Sequence, residues 1–254
     1  ENEPEGVEEP ESSDDDEVEV VQSKTEEGDE YDERLRRLLD RESTVCAMGS
    51  YIPPSSFHTF DPIRNSPDSI VNGIISSMSG NHGELLLSAA GIEEVAGLKE
   101  GEDSPLDKAT MLFISVLDWQ DDWSVPRSLD GGHSRERLGR FPSDDGNAIE
   151  YLLRYTKEGE GSDLHRLLEK LCRGLNEDSF GHSGFNEGSA GIEMLGWLDG
   201  EDISKIRREI EKGAWSVKAD EPLDGGVQDA FRHLLVFLRA AVKRKCGILM
   251  RRHS

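Results

Sequence analysis

The chain ends on a helix followed by a strand that has no hairpin neighbour. Val227, Phe231, Leu234, Leu235, Leu238, Ala241 and Val242 recur at helical spacing and share one face of residues 227–246. Gly247 closes that run, and ILMR at 248–251 reads as a short strand. A strand must find partners for its backbone N–H and C=O groups. With no turn and second strand beside it, this one must pair with a distant segment. Residues 45–52, VCAMGSYI, are the best candidate: β-branched at the start, free of helical period and stopped by Pro53-Pro54. The expected fold class is therefore α+β and predominantly α-helical. A single domain is expected over 31–254, with a small sheet pairing N-terminal and C-terminal strands.

Between those strands the pattern is helical. Residues 31–42 read as a short amphipathic helix with Leu35, Leu38 and Leu39 on one side. Residues 53–67 read as a loop, held by Pro53, Pro54, Pro62 and Pro67. Ser66-Pro67-Asp68 opens a helix to about Met78, with proline in its first turn. A weaker helix over 84–98 is interrupted by Gly91 and Gly97. Ser104-Pro105-Leu106-Asp107 starts a central helix, nearly all apolar from Met111 to Leu117 and carried on through DWQDDW. A long loop over 124–146 leads to a helix over 147–157. The next, from Ser162, has Leu164, Leu167, Leu168, Leu171, Cys172 and Leu175 at helical spacing. Asp199 is an N-cap with Glu201 and Asp202 in the first turn, Ile203, Ile206 and Ile210 form a stripe, and Gly213 ends the helix.

Charge divides the chain. Residues 1–30 hold 15 Asp or Glu against the single base Lys24, which is -14 of the formal -24. That segment has little to bury, so a disordered acidic tail is expected over 1–30. Its Ser12 and Ser13 precede Asp15 and Asp16, an acidophilic-kinase type of context. Val18-Glu19-Val20-Val21 resembles a small-modifier-interacting motif. The excess acid repels phosphates and argues against a nucleic-acid partner. It is compatible with solubility, with a basic protein partner or with a high-salt habitat. No run of about 18 apolar residues occurs, so no membrane partner is expected. The three dispersed cysteines, Cys46, Cys172 and Cys246, suggest free thiols and a cytoplasmic location.

Three stretches, LHRLLEKLCRGLNEDSF, LGWLDGEDISKI and AFRHLLVFLRAAVKRKCGILMRRH, follow one another in the C-terminal part of the chain. Together they resemble a group of uncharacterised bacterial proteins, a domain of unknown function. That resemblance implies a fold and carries no catalytic residues. The acidic tail and the basic RRHS end depart from it.

No recognisable chemistry stands out. Gly181-His182-Ser183-Gly184-Phe185 approaches a nucleophile elbow, but Phe185 occupies the place of the second glycine. Asp118, Asp121 and Asp122 could ligate a cation if Asp118 and Asp122 shared a helix face, yet no second acidic motif converges on them. On the same helix Trp119 and Trp123 would point to the core. The seven histidines, His58, His82, His133, His165, His182, His233 and His253, form no zinc spacing. No catalytic residue, metal ligand or cofactor is assigned. After Asp229 every charge is positive, as suits a helix C-terminus. The sequence favours a non-enzymatic binding or interaction protein, in one form an acidic immunity- or antitoxin-like partner of a basic protein. The alternative is a hydrolase-like enzyme with its site near the His133 and His182 loops.

Overall fold

The computed structural model describes residues 57–129, 141–143, 145–189 and 191–253. The expected tail over 1–30, the helix over 31–42, the strand over 45–52, Cys46 and His133 lie outside those residues. In chain order the elements are β1 (Phe57–Ile63), α1 (Pro67–Ser77), α2 (Gly83–Ser88), α3 (Ile92–Ala96) and α4 (Lys108–Val116). Then come α5 (Ala148–Tyr155), β2 (Thr156–Glu158), α6 (Leu164–Arg173), α7 (Glu177–Phe180) and β3 (Glu193–Leu198). The chain closes with α8 (Gly200–Lys212), β4 (Trp215–Val217), α9 (Gly226–Arg244) and β5 (Gly247–His253). The class is α+β and mainly helical.

The C-terminal strand is the middle of the sheet. Among the described strands the order is β1-β5-β3, antiparallel throughout, with Phe60 opposite Met250 and Trp197 opposite Leu249. A middle strand buried on both faces needs an unbroken apolar run, and Gly247 to Met250 supply one. Its side chains alternate between two cores. Ile248 and Met250 join the cluster built by α5, α6, α8 and α9. Leu249 joins the cluster built by α1 to α4, with Phe185, Met194 and Trp197. The sheet is thus a layer between two helical layers.

Several expectations need correction. The proline-rich stretch is not all loop: β1 runs through it, and Pro62 is accommodated on an edge of the described sheet. The alternation of buried His58, Phe60 and Pro62 with half-buried Phe57, Thr59 and Asp61 was the signal that the prolines obscured. The weak helix over 84–98 is two short helices, parted by Gly91 at φ 88°. The helix over 147–157 stops at Tyr155 and continues as β2, which pairs with β4.

The central helix is also shorter than expected. It starts at the Asp107 cap, whose side chain accepts from Thr110 N, but ends at Val116. Its C-terminal backbone is captured by the end of β1. Arg64 N donates to Val116 O at 2.8 Å, and Asp118 N donates to Pro62 O at 3.0 Å. Sheet-like pairing of Ile63 with Leu117 therefore overrides helix propensity, and DWQDDW is a loop.

The segment from Glu193 to Gly213 matches its reading. β3 delivers Asp199, which caps α8 by accepting from Glu201 N and Asp202 N. Gly196 lies where a Cβ would come within 2.0 Å of Lys170 O, so α6 packs directly on the backbone of β3.

Candidate functional site

Among the described residues, the loop after α4 borders two hollows. One cleft of about 510 Å³ is lined by Arg64, Asp118, Trp119, Gln120, Asp121, Asp122, Arg127 and Arg244. A second, of about 380 Å³, is mixed in character, with Leu87, Ile92, Ile114, Leu117 and Trp123 beside Asn65, Ser88 and Ser115 in its walls. Arg64, Trp119, Gln120 and Asp121 belong to both, so the two hollows meet there. The result is one groove, with aliphatic side chains toward one end and mostly charged ones at the other.

Its walls are fixed from three sides. Asn65, just past β1, donates from Nδ2 to Ser88 O and Ser115 O, at 3.1 and 3.2 Å, which ties the ends of α2 and α4 together. Trp119 Nε1 donates to Ile114 O at 2.7 Å and so sets the plane of that indole. Gln120 organises the loop: its Nε2 donates to Ser124 Oγ and Val125 O, and its Oε1 accepts from Arg127 Nε at 2.7 Å. Arg244, near the end of α9, donates to Arg127 O and Ser128 O.

This framework holds Trp123 in a left-handed conformation, φ 59°, which a bulky residue avoids. The indole lies on Gly91, where a Cβ would be 2.1 Å from its Cζ2. Glycine is thus required at 91 for both the positive φ and the close approach. Trp119 and Trp123 face each other with ring centroids 6.2 Å apart and planes tilted 42°. Trp123 remains 41% exposed, Val125 76% and Leu87 89%. The expectation that both tryptophans turn to the core on a helix is therefore wrong: the helix ends first, and Trp123 is displayed.

The three aspartates do not act together. Asp118 accepts from Arg64 Nε at 3.3 Å. Asp122 accepts from Ser124 N, and the Ser124 hydrogen bonds hold its carboxyl below the usual range. Asp121 sits exposed on the rim shared by both hollows. The i, i+4 geometry considered for Asp118 and Asp122 does not exist, because no helix spans them. Among the described residues no group of three or more His, Cys, Asp or Glu converges as a metal site would need.

His182 lies against aromatic rings. Its ring packs on Phe180 and Phe185, at 5.5 and 6.1 Å between centroids. Phe185 is fully buried and anchors the turn, with Gly181 and Gly184 at positive φ on either side of His182 and Ser183. The other polar constellations tie elements together. His58 Nε2 meets Asp145 Oδ2 at 3.1 Å, and Arg252 pairs with Glu193. His82 contacts Ser77 Oγ through Nδ1 and the Lys99 and Glu102 carbonyls through Nε2. Lys170 Nζ bonds Asp202 at 2.5 Å and lies 4.9 Å from the Trp197 ring centroid. Cys172 is buried, and burial pushes its thiol up to about 12, which leaves no nucleophilic thiolate.

Sequence reasoning singled out the aspartates and tryptophans of this loop but missed Arg64, Asn65, Gln120 and Leu87. The available signal was Pro126 together with Gly91, two breakers bordering residues that later prove to face each other. Comparison with protein-family models, curated proteins and solved structures finds no match for this chain.

Proposed function

We propose that the protein is a non-enzymatic interaction protein that engages a basic protein partner through the Trp123 loop. The observation that carries this reading is the displayed, strained Trp123, held by the Gln120 network beside exposed Leu87 and Val125. Left-handed backbone at a tryptophan costs free energy, and exposing apolar side chains recovers none of it in the free protein. Both features are accounted for when a partner covers them. A rigid aromatic anchor bordered by apolar residues has the make-up of an interface hot spot. Holding it in place beforehand lowers the ordering cost of association. The formal charge of -24 attracts a basic partner over long range and raises the encounter rate. The buried free thiols Cys172 and Cys246 favour a reducing compartment such as the cytoplasm.

The test is affinity capture from cells that make the protein, using the full chain, Trp123→Ala and Val125→Asp. Both variants should keep the melting temperature within a few degrees. Trp123→Ala should weaken capture of the partner by about thirtyfold, the effect of losing roughly 2 kcal/mol at a hot spot. Capture that is equally strong with both variants would exclude this loop as the docking surface.

A further inference from the structure

Building on the docking surface just proposed, we infer that the wedge between Trp119, Trp123 and Asp121 receives the cationic side chain of the partner, an arginine or lysine flanked by aliphatic residues. Most charged groups in the groove are already engaged. Arg64 is engaged by Asp118 and by Trp119 O. Arg127 donates to Gln120 Oε1, and Arg244 donates to the carbonyls of Arg127 and Ser128. Asp122 is turned onto Ser124 N. Arg127 and Arg244 bond neutral oxygens and keep their charges, so the groove as a whole is balanced. Asp121 forms no ion pair among the described residues and stays exposed where the two hollows join, which leaves its carboxylate open to a partner's cation.

The rings beside it supply a second attraction for a cation. An indole face carries negative electrostatic potential, and tryptophan is the strongest of the aromatic side chains in holding a guanidinium or ammonium over its face. The two rings meet at 6.2 Å with a 42° tilt, which makes an open V rather than a closed stack. Both are fixed before any partner arrives, Trp119 by its bond to Ile114 O and Trp123 by its seat on Gly91. Leu87, Ile92 and Ile114, toward the other end of the groove, suit an aliphatic neighbour of the cation.

The experiment uses the full chain with its tryptophan indoles labelled for NMR. The probes are a short capped peptide alternating leucine and arginine and a counterpart in which glutamate replaces arginine. The arginine peptide should shift the indole N–H signals of Trp119 and Trp123, and added salt should weaken this response. Asp121→Asn should weaken it about tenfold, and Trp123→Ala should abolish it at Trp119. The inference is overturned if the glutamate peptide shifts the same signals as strongly. It is overturned equally if the arginine peptide binds without shifting them, which would place binding on other acidic residues, or if Asp121→Asn changes nothing. Partner capture that still depends on Trp123 would in those cases preserve the docking surface and remove only its preference for a cation.

Discussion

At the scale of the residue, several carboxylates hold backbone N–H groups. Asp107 is the clearest case. It accepts from Thr110 N at 2.8 Å and from Ser189 N at 3.0 Å, so it starts α4 and pins the loop before β3. Burial pulls its carboxyl up, but hydrogen bonds from Ser189 and Thr110 outweigh this and hold it down at about 2. The folded value lies below that of the unfolded chain, so the contribution is complete above about pH 4 and fades as pH falls toward about 2. Asp107→Ala should cost about 1 kcal/mol at pH 7, a drop of about 2–4 °C in melting temperature. The gap from the unaltered protein should narrow between about pH 4 and pH 2, and a gap that stayed constant on thermal melts across that window would contradict the capping role. The cysteines give a second residue-scale expectation. Burial pushes the Cys172 thiol up to about 12 and the Cys246 thiol up to about 11. Iodoacetamide at pH 8 should leave both unmodified in the folded protein and alkylate both in guanidinium, as read by peptide mass spectrometry. Rapid labelling of Cys172 without denaturant would mean that its helix opens locally.

Elements whose signals are local were legible in the sequence, and those decided by distant partners were not. Asp199, the Ile203–Ile206–Ile210 stripe and Gly213 each act within α8, and that helix is where it was expected. β1 was missed because its reason for being a strand lies in β5, far along the chain, whereas its prolines are local. The same competition ended α4: KATMLFISVLDW reads as a helix until the backbone of β1 claims Val116 and Asp118. The groove inherits this, since it exists only because that helix stops early. α9 lies between the two cases. Its apolar face was found, but Leu235 and Val242 prove only partly buried while Phe237 is fully buried and packs 5.0 Å from Phe60. The face is rotated toward Leu234, Phe237 and Leu238, because β1 occupies the space beside Phe237. Leu234→Ala should therefore cost about 2–5 kcal/mol, and Leu235→Ala clearly less. Arg239 holds only an exposed pairing with Glu211, so Arg239→Ala should change stability by at most about 0.5 kcal/mol. Denaturant melts of the three variants check the order, and equal losses for Leu234 and Leu235 would refute the rotation.

At the scale of the whole molecule, β5 decides whether the two cores behave as one. Ile248 and Met250 enter the core of α5, α6, α8 and α9, while Leu249 enters the core of α1 to α4. The hydrogen bonds of β5 to both β1 and β3 make it the structural element common to the two sides. Its partners in β1 are distant in sequence, so closing the sheet carries the entropic cost of a long loop. If β5 couples the layers, neither can open fully while the other stays closed. Leu249→Ala tests this, because Leu249 packs in only one of the two clusters. The truncation should cost about 2–5 kcal/mol, a large share of a stability of about 5–15 kcal/mol. Hydrogen exchange should then quicken for the slowest amides of α8 by the same factor as for those of α1, although α8 lies in the other cluster. Faster exchange confined to α1 to α4 would mean that the two sides unfold separately and that β5 joins them without coupling them. A shared factor would make β5 the strand on which both cores depend, and would extend the consequence of Leu249 to Ile203 and Ile206 on the opposite side of the sheet.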